Sequence, residues 1–148
     1  MGKLGSCQSL LICCLEGHSI FSTMQNTAAW LFLGLTVITV LFQIALASGV
    51  PWGKASMGGR FPGKYPPKMR WVALINALVL AFTAAVVLAE AGCCFAALRS
   101  ISGVGIWVVI AFYALGTVLN LITPSKIERI WAPVVFIQAI CATLVALA

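Results

Sequence analysis

The chain has 148 residues, 62% of them hydrophobic and only 8% charged, with a mean hydropathy of +1.09; an ordinary soluble domain carries about 25% charged residues. A water-soluble fold is excluded. The net charge of +6 lies beside apolar stretches rather than on a folded basic face, which argues against nucleic acid as a partner.

Four apolar stretches, 27–48, 71–89, 103–122 and 130–148, are each long enough to cross a hydrocarbon core about 30 Å thick. Backbone polar groups inside a membrane must be satisfied within each span, so the expected fold is all-α: an integral membrane protein, a four-transmembrane-helix antiparallel bundle over residues 27–148. Residues 1–26 read as a leader, either flexible or an over-extended start, since Met24 leads directly into the first span. Within it MGKLGS matches an N-myristoylation pattern at Gly2 with Ser6, and Cys7 would offer a second acylation point. That reaction is cytosolic and absent from bacteria, and the charge distribution puts this end outside.

The loop at 49–70 carries Lys54, Arg60, Lys64, Lys68 and Arg70, and the loop at 123–129 carries Lys126 and Arg129, against Lys3 and Arg99 on the other side. Basic loops stay on the cytoplasmic side. Loops 49–70 and 123–129 are therefore expected inside, and the termini outside, in a bacterial-type plasma (inner) membrane.

Gly58, Gly63 and Lys64 fall at the GxxxxGK spacing of a phosphate-binding loop. A working phosphate loop joins a strand to a helix and follows its lysine with Ser or Thr. Here Tyr65 follows, Pro62 removes a donor, Pro66 and Pro67 interrupt a helix, and a membrane span precedes. No nucleotide is expected. The glycine and proline density instead predicts an ordered series of turns, with Trp52, Lys54, Arg60, Lys64, Lys68 and Arg70 as a surface for anionic lipid or a membrane partner.

Helix 2 repeats alanine at Ala73, Ala77, Ala81, Ala85 and Ala89. Residues four apart share a helix face, so the stripe predicts close helix packing, with Ala81→Leu more harmful than the same change at Val79. Gln43, Asn76, Asn120 and Gln138 place one amide on each helix. Counted back from the basic loops, they lie on the order of 4 to 10 Å inside the membrane. Such a layer is interhelical glue or the lining of a polar intramembrane site. Glu90 ends helix 2 with Arg99 as its expected partner. The spans hold no histidine, which argues against histidine-ligated haem, and no cofactor or metal is expected.

Before helix 4 the chain reads Ser125, Glu128, Arg129, Trp131 and Pro133. Together with Gly49-Val50-Pro51-Trp52-Gly53, Gly58-Gly59-Arg60, Gly63, Pro66 and Arg70, this resembles a group of small four-helix bacterial integral membrane proteins of unknown function. That group has a Ser-x-x-Glu-Arg-x-x-Trp-x-Pro pattern, and here one residue is missing between the arginine and the tryptophan. The resemblance implies the four-helix architecture and brings no activity with it.

The six cysteines, Cys7, Cys13, Cys14, Cys93, Cys94 and Cys141, contain no CxxC pair, as a membrane thiol redox enzyme would want. The favoured reading is a non-enzymatic structural or accessory membrane protein that docks through the basic loop, as a homo-oligomer or within a larger complex. The alternative is a small oligomeric transporter or channel for a small solute, with the four amides along its path.

Overall fold

A computed structural model describes the backbone from Leu4 to Ala148 and the side chains from Phe21 onward. Gly2 and the side chains of Ser6, Cys7, Cys13 and Cys14 lie outside the described residues, and with them the lipidation reading. Four long helices make the fold: α1 (Leu4–Ser48), α2 (Pro67–Glu90), α3 (Arg99–Ile122) and α4 (Trp131–Leu147). No strand is found among the described residues.

The helices form a ring in chain order, α1 beside α2 and α4, and α3 beside α2 and α4. This is an all-α four-helix bundle, and its segments Phe21–Ser48, Pro67–Glu90, Ala96–Ile122 and Glu128–Leu147 are long and apolar enough to cross a membrane. Leu78, Trp71 and Val104 are about 70–77% exposed on its outside, as a lipid-facing surface requires. The protein is therefore an integral membrane protein. Helix α1 starts at Leu4, so residues 4–26, read from the sequence as part of a leader, are helical and run without a break into the first span.

Helix α2 also begins earlier than expected. Pro66 is extended at the N-cap and Pro67 is the first helical residue. The pair stops a helix arriving from the loop, but at the first helical position the missing N–H and fixed φ of proline cost nothing.

The alanine stripe holds for only part of α2. Ala73, Ala77 and Ala89 are buried, Ala85 is half-buried and Ala81 is exposed. A residue advances about 100° around a helix, so four residues overshoot a full turn by about 40° and the stripe rotates out of the interface. The buried line instead runs Ala73, Ala77, Leu80, Ala84, Val87, in steps that alternate four and three.

At the bundle centre, Phe32 meets Tyr113 edge to face with ring centroids 5.0 Å apart. Thr36 Oγ1 donates to the Phe32 carbonyl at 2.8 Å, which commits its proton and leaves it to accept from Gln138 Nε2 at 2.9 Å. Thr83 Oγ1 donates to the Leu80 carbonyl at 2.7 Å and lies 3.0 Å from Tyr113 Oη, so the tyrosine is the donor of that pair. One polar side chain from each helix thus forms two crosslinks, α1 to α4 and α2 to α3, each worth about 0.6 to 2 kcal/mol in a membrane.

Ala84→Leu should destabilise the bundle by about 1–3 kcal/mol through overpacking, whereas outward-facing Ala81→Leu should change it by less than about 0.5 kcal/mol. Unfolding of the solubilised protein by SDS titration checks the order.

Candidate functional site

The two loops expected to share one side of the membrane meet at one end of the bundle. Ser125 Oγ donates to the Lys54 carbonyl at 2.6 Å and Trp131 Nε1 donates to the Ala55 carbonyl at 3.0 Å. Glu128 Oε2 accepts from the Gly58 N–H at 2.7 Å and from Thr123 Oγ1 at 2.6 Å. Phe42 of α1 lies between the two loops' aromatic residues, stacked on Trp52 at 6.2 Å and tilted against Trp131 at 4.6 Å. The segment that opens α4 therefore clasps the Gly/Pro loop.

Local backbone chemistry makes the clasp feasible. Met57, Gly58 and Gly59 have φ values of +54°, +69° and +73°, a left-handed run that turns the Gly58 N–H onto Glu128. A Cβ on Gly59 would come within 3.1 Å of Ser125 Cβ. At Gly53 a Cβ would stand 2.0 Å from the Phe61 carbonyl oxygen, and the Gly53 N–H donates to the Gly63 carbonyl at 3.0 Å. The loop is folded on itself before it is clasped.

Beneath the clasp lies a cavity of about 530 Å³, and all four amides expected from the sequence, Gln43, Asn76, Asn120 and Gln138, line it. They do not form one bonded layer. Only Gln138 makes an interhelical bond; Asn120 Nδ2 donates to the Gly116 carbonyl of its own helix at 2.8 Å. Among the described residues, no hydrogen bond is found at the Gln43 or Asn76 side chains.

The reason is a seven-residue spacing, which returns to nearly the same helix face about 10.5 Å along the axis. Thr36 and Gln43, Asn76 and Thr83, Tyr113 and Asn120, and Trp131 and Gln138 are such pairs. Thr36, Thr83, Tyr113 and Gln138 occupy the bonded layer, while Gln43, Asn76, Asn120 and Trp131 stand loopward of it. Gln138 thus belongs to the cavity's floor and the other three amides to its walls. A pair of polar side chains seven apart on each span was the signal for both layers.

Gln138 Oε1 is buried in the cavity without a partner, and Tyr65 Oη is buried there with the Ser56 hydroxyl beside it. Burial pushes the Tyr65 phenol above its ordinary range and the nearby Glu128 carboxylate adds to the rise, with the Ser56 hydroxyl only tempering it. Tyr65 therefore stays a neutral hydroxyl. Glu128, absent from the sequence-derived site, forms part of the wall.

The expected loop surface divides in two. Trp52, Lys54, Arg60, Lys64 and Lys68 are exposed, whereas Arg70 turns inward to donate from Nε to the Tyr65 carbonyl at 3.1 Å. At the opposite end, the partner of Glu90 is the Ser102 hydroxyl at 2.6 Å rather than Arg99, whose guanidinium packs over Gly92.

Cys93, Cys94 and Cys141 are free thiols. Cys141 is in the apolar core, and Cys93 donates to Asn26 Oδ1 at 3.3 Å. Burial and then the neighbouring Cys94 raise the Cys93 thiol, which disfavours the reactive thiolate. Comparison of the chain with known protein families, with curated proteins and with solved structures finds no match.

Gly53→Ala should break the loop's internal fold and loosen the clasp, because the added Cβ meets backbone rather than a movable side chain. Limited proteolysis should cut 49–70 of this variant at least about tenfold faster than wild type, the ratio expected for a loss of about 1.4 kcal/mol.

Proposed function

We propose that this protein binds a small molecule in the amide-lined cavity, as a carrier or as one subunit of a small oligomeric transporter. The observation that carries the reading is the convergence of four amides from four helices on one space, with Gln138 Oε1 buried there and unpartnered. Polar groups at membrane depth are costly and mark sites where they meet something other than lipid. The residues supporting this role are Gln43, Asn76, Asn120 and Gln138, with Tyr65 and Glu128 beneath the clasp.

A second reading is an accessory role, in which the loop docks to anionic lipid or to a membrane partner. It is favoured by the exposure of Lys54, Arg60, Lys64 and Lys68 on a loop whose backbone is pinned by Glu128, Ser125 and Trp131. Under either reading we place the protein in a bacterial-type inner membrane, with 49–70 and 123–129 on the cytoplasmic side by their excess of lysine and arginine.

Native mass spectrometry of protein extracted in mild detergent separates the two. The cavity reading expects a retained small molecule whose occupancy falls about fivefold in Asn76→Leu or Asn120→Leu, the effect of a lost hydrogen bond of about 1 kcal/mol. Retention unaffected by both changes would count against it. The accessory reading expects the triple change of Arg60, Lys64 and Lys68 to Gln to weaken binding to anionic vesicles, at about 1 kcal/mol per charge. Unchanged vesicle and partner binding would remove it.

A further inference from the structure

The cavity wall has a chemical sign. Nine basic residues outnumber three acidic ones in the chain, yet the wall contains one carboxylate, Glu128, and no lysine, arginine or histidine.

Two of the four amides, Asn120 and Gln138, add to this sign, because a partner fixes the orientation of each. Asn120 faces a backbone carbonyl, so its nitrogen must be the atom that points there and its oxygen is left for the cavity. Thr36 has already given its proton to the Phe32 carbonyl, so Gln138 must donate to it, leaving Oε1 unpartnered and buried. Both residues thus present a free acceptor oxygen to a space whose one charged wall residue is a carboxylate. Phe42, Phe112, Tyr113 and Trp131 supply aromatic rings on the same wall, and ring faces attract cations.

The cavity also has an opening of known character. Its wall includes Val72, Ile75 and Val79 of α2 and Phe112 of α3, side chains 38–59% exposed on the outside of the bundle. The space therefore reaches the lipid-facing surface along the seam between α2 and α3. Those two helices are held together at the bundle centre, where Tyr113 donates to Thr83, and at the far end, where Ser102 donates to Glu90 and Gly105 lets Val86 approach closely.

We propose that the cavity takes a hydrophobic organic cation, a protonated primary or secondary amine on a compact apolar body, admitted from the membrane through the α2–α3 seam. This rests on the reading of the cavity as a small-molecule site. An ammonium group offers donors and no acceptor, which complements Gln138 Oε1, the Asn120 oxygen and Glu128. The apolar body fits the aromatic and aliphatic part of the wall. The basic rim formed by Lys54, Arg60, Lys64 and Lys68 disfavours a cation approaching through the loop end and leaves the seam as the route.

The test uses the full chain in lipid nanodiscs and three probes of one shape: 1-aminoadamantane, 1-adamantanol and 1-adamantanecarboxylate, titrated by calorimetry at neutral pH. The amine should bind at least about tenfold more tightly than the other two. Glu128→Gln should erase that preference and leave alcohol binding as it was, since one amide oxygen can still accept from both Gly58 and Thr123. The elution volume and melting temperature of this variant check that the clasp survives. Asn120→Leu, which breaks no interhelical bond, should independently weaken the amine more than the alcohol. Equal binding of amine and alcohol would overturn the cation assignment while leaving a small-molecule site in place. Binding of none of the three would overturn the assignment, and the co-purification measurement would then decide the broader reading separately. Efficient disulfide crosslinking between copies through Ile75→Cys in native membranes would show the seam closed by a second chain and overturn lateral entry.

Discussion

The carboxylate of Glu128, held by the Gly58 N–H and the Thr123 hydroxyl, is the contact on which the shape of this end of the protein depends. In lipid, apolar side chains gain little by leaving the solvent for one another, so helix association relies on close packing and on a few polar contacts. Four helices that are apolar on nearly every face could slide or rotate with small penalties. Hydrogen bonds between the two loops fix their ends, and the crosslinks from Thr36 to Gln138 and from Tyr113 to Thr83 fix their middles. Between those two levels the helices stand far enough apart to leave a space.

That arrangement explains why the loop is rich in glycine and proline. Clasping requires the backbone itself to approach Glu128, Ser125 and Trp131, and Gly53 and Gly59 stand where a side chain would collide with a carbonyl or with Ser125. Gly58, the first residue of the phosphate-loop-like spacing, thus serves a carboxylate from the protein's own chain. Met57 takes a left-handed conformation without being glycine, a strain of roughly 1–2 kcal/mol offset by the contacts made on either side of it.

The architecture was legible in the sequence because span length and hydropathy respond to the bilayer alone, and these are properties of single segments. The amides were legible as residues but not as a layer. Their depth can be counted from the loops, whereas which of them bonds depends on the rotation of each helix, and that is set by packing with neighbours. Ala81 shows the same gap: a repeat of four looks like a face in a list of letters and drifts on a helix of 3.6 residues per turn. Glu128 was legible as part of the pattern that opens helix 4 but not as a wall of the site, because its partner Gly58 lies 70 positions away.

Sequence separation at the clasp also orders the protein's assembly in time. The bonds from Gly58, Lys54 and Ala55 span 70, 71 and 76 residues, so the first loop leaves the ribosome long before its partners exist. The α1–α2 hairpin can insert early, but its loop reaches its final path only after the entry to α4 has been made. Long-range closures of this kind are the slow steps of folding. The cavity, whose roof is that loop, is consequently the last part of the molecule to form, and a chain truncated before Glu128 would hold three helices in the membrane with neither the fourth wall nor the clasp that closes the pocket.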